Sequence, residues 1–223
     1  QCRKLLKRLA PEIPTGKLIM NATHTHTAPD PWGFWYPPVL EGVMTPDEYR
    51  DFLAGRLAAA IVKSWSSRKP GFVAWGSGYA VASHNRRAVY FDDLSKRPGY
   101  SATPGTRTER NARMYGKTDD PQFSGVEGYV DHSVNLLYTF DGRRRLTGAV
   151  FNVHCPSQET EGIESVSADF WHEVRTELRK RHGKGLFLLP QCAPSGDLSP
   201  HLIYNKRAEE RMLKLKSVSS RQE

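Results

Sequence analysis

Three short apolar runs, each ending on side chains capable of chemistry, constrain this chain more than any other feature. Leu18-Ile19-Met20-Asn21-Ala22-Thr23 leads into His24 and His26. Ala149-Val150-Phe151-Asn152-Val153 leads into His154, and Leu186-Phe187-Leu188-Leu189-Pro190 leads into Gln191-Cys192 and on to Gly196-Asp197-Leu198-Ser199-Pro200. Runs of this length bounded by turn residues read as buried strands, too short for helices. Helical patterns and polar loops separate them, which predicts an α/β fold: a mixed or mostly parallel sheet flanked by helices. Open α/β sheets bind ligands beyond the carboxyl ends of their strands, so the same runs predict a site at those ends.

The remaining pattern fits that class. Residues 2–10 read as a helix with Leu5, Leu6 and Leu9 on one face, stopped by Pro11 and Pro14. Leu18 to Thr23 reads as a strand, and residues 28–44, rich in proline and aromatics, as a loop over the site. The segment 45–67 predicts a helix: Thr45 at the N-cap, Pro46 at N1 and Glu48 at N3 form a capping box, and Phe52, Leu53, Leu57, Ala60, Ile61 and Trp65 follow at helical spacing. Residues 72–82 read as strand, and the polar 95–128 stretch, with five glycines and three prolines, as a long loop. Residues 129–141 and 146–154 predict two strands joined at Asp141-Gly142. A helix from about Asp169 to His182 stops at Gly183, and a last helix runs from Lys206 to Leu215. No internal repeat is present, and 1–223 reads as part of one catalytic α/β domain.

Composition excludes several classes. Apolar content of 38% and charged content of 25% suit a globular protein. Apolar stretches such as Leu57 to Val62 are far too short to span a bilayer. The net charge of +8 is spread along the chain, with local clusters at Arg143–Arg145 and Arg179–His182 that suit a turn and a helix C-terminus. No nucleic-acid-binding motif accompanies it, so no nucleic-acid partner is expected. Three cysteines, Cys2, Cys155 and Cys192, make neither a disulfide framework nor a cysteine-rich zinc pattern.

His24 and His26 lie one residue apart at the end of the first run. In extended chain both would point to one face, where imidazole serves as a zinc ligand or as an acid/base near neutral pH. A polar strand end with solvated histidines is the alternative. His154 and Ser199 at two further strand ends shift the balance toward a site.

Four segments, in order, resemble the catalytic domain of the neutral/alkaline (non-lysosomal) ceramidases. Ala22-Thr23-His24-Thr25-His26-Thr27-Ala28-Pro29 is similar to that family's A-T-H-T-H-S-G-P, and His84-Asn85-Arg86-Arg87-Ala88 to its N-R-S segment. Phe151-Asn152-Val153-His154-Cys155-Pro156-Ser157 resembles F-A-V-H-P-T-S, and Gly196-Asp197-Leu198-Ser199-Pro200 resembles G-D-V-S-P. The resemblance implies a zinc-dependent amidase that splits the N-acyl bond of a ceramide-like lipid into a fatty acid and a sphingoid base. It assigns His24 and His154 to zinc, His26 to proton transfer, and Arg86 to the reacting carbonyl or its oxyanion. Ser199 would be a substrate-orienting hydroxyl or a nucleophile. Attack by zinc-bound hydroxide is the expected chemistry, because a serine nucleophile would need a base within reach.

The resemblance also implies a Glu and a Tyr as further zinc ligands, beyond the serine motif and not placeable in this sequence, and hence a longer protein. Partners implied are a lipid or other N-acylated small molecule and a peripheral membrane surface, with a secreted, periplasmic or cell-surface location. Departures are Asp30 in place of a glycine, Cys155 inserted before the proline, Gln158 in place of a methionine, and a changed sequence after Asp169. These bear on the substrate, leaving open a related metallo-amidase or esterase on another substrate, or a non-catalytic lipid- or carbohydrate-binding relative.

Several residues keep two readings. Asp197, assigned to substrate binding, orients the Ser199 turn or only caps the following helix. Trp32 and Trp35, with Phe34 and Tyr36, line a lipid-chain groove or pin the loop to the core. Cys155 and Cys192 are a third metal ligand, a disulfide or buried thiols. Glu159 and Glu161 can supply a carboxylate near the metal. His84 is a pocket or loop residue, and His172 and His182 belong to the surface.

Overall fold

The computed structural model describes residues 1–33, 38–100 and 110–219. The architecture is mixed α/β. Its largest sheet has four strands in the order β1 (Phe72–Tyr79), β6 (Ser133–Phe140), β7 (Leu146–Val153) and β8 (Phe187–Cys192). The strands between β1 and β6 belong to two smaller sheets. One pairs β2 (His84–Asn85) with β9 (Leu198–Ser199). The other joins β3 (Arg87–Tyr90) to β4 (Ala112–Met114) and β5 (Phe123–Val126).

Connection length sets strand direction. β6 and β7 are joined by a tight turn and must run antiparallel. Asp141 builds that turn: its Oδ1 accepts the N–H groups of Arg143 and Arg145, while Arg144 takes a left-handed φ of 59°. Between β7 and β8 the chain makes a long excursion through helix α3 (Trp171–His182), which permits the parallel pairing seen there. The sheet is therefore mixed, but of its three pairings only β7–β8 is parallel, so "mostly parallel" is replaced by mostly antiparallel. Gly183 ends α3 at φ 101°, as a helix-stopping glycine should.

α3 covers one face of the sheet. Ala149, Leu186 and Leu188 pack with Tyr138 and Leu178, and Val153, Cys155 and Trp171 pack with Phe151 and Val174. The opposite face carries Trp75, Leu137, Val150 and Leu189 in one row across all four strands. Along this face Trp75 is 82% exposed, Leu137 and Leu189 are exposed, and Tyr79 and Phe187 extend the apolar surface. β8 therefore alternates in burial rather than being buried throughout.

A separate core lies between α1 (Cys2–Leu9) and α2 (Pro46–Ser66). The capping box of α2 forms as its sequence predicts: the Thr45 hydroxyl accepts from the Glu48 N–H, and the Glu48 carboxylate accepts from the Thr45 N–H. The packing face differs from the predicted one. Leu6 meets Ala54 and Ala58, all buried, while Phe52, Leu53, Leu57 and Leu9 stay exposed. Close approach of the two helices selects the small Ala54 and Ala58 at the tightest contact, while Ile61 and Trp65 of the predicted face pack against the same core further along and only its Phe52, Leu53 and Leu57 stay exposed. The last helix, α4 (Lys206–Leu215), matches its predicted bounds, and no described helix is long and apolar enough to cross a membrane.

Two predicted segments differ. Leu18–Thr23 forms no strand; Ile19 is 83% exposed. The segment instead crosses the end of β8. There the Ala22 carbonyl accepts from the Cys192 N–H at 3.2 Å, and the Thr23 carbonyl accepts from the N–H and hydroxyl of Ser157. The 95–128 stretch, read as loop, contains β4 and β5. Both strands are too short to show a period, and they form because β3 offers a partner on each side.

Around the start of that stretch Arg97 braces three segments. Its guanidinium donates to Asp92 and Asp120 and lies over the Tyr90 ring. Those hydrogen bonds hold both carboxyls below the usual carboxylate range. A group with a lowered folded pKa contributes stability above its unfolded value, about 3.9 for Asp, and loses it as pH falls through the lower folded value. Arg97→Gln should therefore lower the unfolding midpoint at pH 6, and the gap from wild type should narrow as the pH falls below about 4; denaturant melts across this range measure it. In the helical core, Leu6→Ala should cost about 2–5 kcal/mol of unfolding free energy, read from equilibrium denaturation.

Candidate active site

The β2–β9 ladder assembles the centre of the site. His84 pairs with Ser199 and Asn85 with Leu198. The buried Asn85 side chain donates to the Asp197 carboxylate at 3.0 Å, and the Arg86 N–H donates to the Asp197 carbonyl at 2.9 Å. Segments more than a hundred residues apart in the chain are thereby fixed side by side, with Arg86 directly beyond the ladder. Asp197, one of the predicted substrate-binding residues, uses its carboxylate to brace this turn.

Arg86 is held from several sides. Its Nη2 donates to the Gly196 carbonyl at 2.9 Å, and its Nη1 donates to the Tyr115 hydroxyl at 2.9 Å and to Gln158 Oε1 at 3.5 Å. The guanidinium carbon lies 5.3 Å from the centre of the Tyr115 ring. Its Nε is buried without a hydrogen-bond partner among the described residues, leaving one donor of a fixed cation uncommitted.

Ser199 is fully buried at the end of β9. Its Oγ accepts the His201 N–H at 3.1 Å and the Tyr115 hydroxyl at 3.3 Å. The imidazole of His201 turns elsewhere, to the Gln158 carbonyl at 2.7 Å.

His24 and His26 lie close to one another, but not by strand alternation. His24 has a left-handed φ of 59°, so the chain turns at this residue and the two rings come to 5.3 Å between centres. Partial burial, His26 and Arg86, in that order, hold the His24 pKa below its ordinary value and favour the neutral imidazole. His24 and Arg86 line one cleft of about 560 Å³, walled by Asn21, Cys192 and the 193–196 turn.

His26 meets a polar cluster instead. Its Nδ1 is 2.9 Å from Glu161, and the buried Gln158 amide nitrogen lies within 3.2 Å of both ring nitrogens. Gln158 also reaches Arg86, so it links His26 to the guanidinium. Glu161 thus lies beside His26 and His201, while Glu159 contributes its N–H to Asp169.

His154 follows β7. Its carbonyl accepts the Ser83 hydroxyl, its Nδ1 lies 3.1 Å from the Pro194 carbonyl, and its Nε2 lies 3.2 Å from Asp131 Oδ2. Both ring nitrogens therefore face acceptors. A neutral imidazole has one N–H to offer either acceptor. In donor type, a neutral His24 and a His154 facing a carboxylate suit a divalent cation such as zinc. In number they do not close a shell: among the described residues no three His, Cys, Asp or Glu side chains gather as a metal cage.

Cys155 is buried with its Sγ 3.1 Å from the Ala82 carbonyl, and Cys192 borders the cleft. Trp32 is 69% exposed and is not among the cleft-lining residues, and Trp35 with Phe34 and Tyr36 lies outside the described residues. Sequence reading missed Tyr115 and Asp131 altogether and treated Gln158 only as a departure. The one available signal for Tyr115 was its place before Gly116. A Cβ at Gly116 would collide with the Tyr90 hydroxyl and come within 2.8 Å of the Ala88 Cβ.

No protein-family profile matches the chain, and no curated protein sequence matches it. Solved structures do. Neutral ceramidase from Pseudomonas aeruginosa superimposes with a TM-score of 0.59 at 18% identity, over 92% of this chain and 29% of that one. A ceramidase complexed with C2 superimposes with a TM-score of 0.57 at 20% identity, over 89% and 28%. The chain therefore shares a ceramidase-like fold and spans less than a third of the length of these structures.

Gly116→Ala should destabilise the turn that carries Tyr115 by about 1–3 kcal/mol through overpacking. It should also weaken whatever ligand the Arg86 cleft binds; denaturant melts and ligand titration of the same variant read the two effects.

Proposed function

We propose that this chain carries part of the active site of a zinc-dependent hydrolase that cleaves the N-acyl amide bond of a ceramide-like lipid. The observation that carries the reading is the convergence, within a ceramidase-like fold, of Arg86 and Ser199 through the β2–β9 ladder, with His24 in the Arg86 cleft.

Each side chain has a role that follows from its surroundings. His24 and His154 would hold the zinc, which when bound supplies a hydroxide at neutral pH and polarises the carbonyl. Arg86, whose guanidinium is held by Tyr115 and the Gly196 carbonyl and borders the cleft with His24, would stabilise negative charge developing on the carbonyl oxygen. His26, ordered by Glu161 and Gln158, can hand a proton to the leaving amine. Ser199 suits orientation rather than attack. Its Oγ already accepts two hydrogen bonds, and no base is hydrogen-bonded to it among the described residues, leaving its O–H to donate.

Metal analysis of the purified protein should find stoichiometric zinc, and His154→Ala should lose both the metal and more than about a hundredfold of amidase activity on N-acylsphingosines. Absence of zinc from active protein would sink the metal assignment. Cleavage of other amides or esters, with every N-acylsphingosine left intact, would keep the hydrolase and remove the ceramide substrate.

A further inference from the structure

Tyr115 is the one side chain whose hydroxyl touches both Arg86 and Ser199 among the described residues. It lies in the stretch that sequence patterning reads as a long polar loop, immediately after β4. Its backbone is left-handed at φ 53°, a conformation that costs a bulky residue energy and persists only where the surroundings enforce it. Here they do. The Tyr115 N–H donates to the Arg86 carbonyl at 2.7 Å, and the next residue must be glycine because a side chain would strike Tyr90 and Ala88. The strained residue is thus clamped by backbone to the same arginine that its side chain engages.

The hydrogen-bond directions form a single chain. Arg86 Nη1 donates to the Tyr115 oxygen, and the Tyr115 O–H donates to Ser199 Oγ. A cation at the head of such a chain polarises every bond behind it. The tyrosine hydroxyl therefore sets the Arg86 guanidinium and the buried Ser199 hydroxyl at a fixed spacing and, by occupying an acceptor position of Ser199 Oγ, leaves its O–H to act as a donor. The ring under the guanidinium adds a cation–π contact on the same residue.

On the other side, Tyr115 borders a cavity of about 1,050 Å³ between the 116–119 turn and the 201–208 segment. The residue consequently stands as a partition between that cavity and the Arg86–Ser199 pair, with 46% of its surface exposed.

We propose that Tyr115 is a positioning residue: its hydroxyl couples Arg86 to Ser199, so that the two act on one substrate carbonyl as a unit. The kinetic part of this rests on the hydrolase reading given above; the structural part does not. Tyr115→Phe keeps the ring and removes only the coupling oxygen. On an N-acylsphingosine, kcat should fall about ten- to hundredfold, as for loss of a charge-assisted hydrogen bond, with KM changed less than about threefold. Ser199→Ala should lower kcat similarly, and the double variant should be little worse than either single one, because each breaks the same chain. Tyr79→Phe, on the exposed sheet face, should leave kinetics unchanged.

A readout independent of activity is the ¹⁵N spectrum of the Arg86 guanidinium, assigned with Arg86→Lys. Its Nη signals should be protected in the wild type and broadened or lost in Tyr115→Phe, with Ser199→Ala disturbing them from the far end of the chain. Arg86 signals that persist unchanged in Tyr115→Phe overturn the proposal whatever the kinetics show, as do unchanged kcat in an active enzyme or additive losses in the double variant. If the wild type cleaves no N-acyl lipid, the ceramide-like substrate falls, and the guanidinium spectrum alone decides the role of Tyr115.

Discussion

The antiparallel pairing of His84–Asn85 with Leu198–Ser199 is short, yet the candidate site depends on it. It brings two loop motifs together with backbone hydrogen bonds, and the Asn85–Asp197 side-chain contact locks the register. That lock matters because a two-residue ladder has little stability of its own. The buried Asn85 is worth more here than a hydrophobic residue. A polar group buried with its partner specifies one register, whereas a buried apolar contact tolerates slippage.

The rest of the structure serves that pairing by bringing its ends to the right place. The parallel β7–β8 pair ends at His154 on one strand and Cys192 on the other, and the loops leaving these ends supply Gln158 and the 193–200 turn. The extended segment before His24 is tied to both loops by the Ala22 and Thr23 carbonyls. Four separate stretches of chain thus meet beyond one sheet edge. Their polar groups are cross-linked through Gln158, which touches His26, Glu161 and Arg86. A methionine at this position could fill the same volume but could not make these bonds.

Much of the scaffold was legible in the sequence because its signals are local. The Thr45 capping box, the Asp141 turn, the Gly183 stop and the apolar runs of β7 and β8 each declare themselves within a few residues, and each is present. The failures share a cause. Leu18–Thr23 has strand composition but no neighbour to complete a ladder, so it stays extended and exposes Ile19. β4 and β5 have weak composition but find β3 as a partner. The inward face of α2 was misread because hydrophobicity alone favours Phe52 and Leu57, while close packing against α1 favours Ala54 and Ala58.

The sequence by itself determined the α/β class and the helix boundaries, and it singled out the candidate residues: His24, His26, Arg86, His154 and Ser199 stand in recognisable local motifs. Only the tertiary structure decided how they are grouped. It put His24 with Arg86 in one cleft, set His26 against Glu161 and Gln158, turned His154 toward Asp131, and inserted Tyr115 between Arg86 and Ser199. The physical reason is that residue type is fixed by local sequence, whereas hydrogen-bond partners come from strands and loops far apart in the chain. No spacing within a motif encodes those meetings; they follow from which strand ends lie side by side.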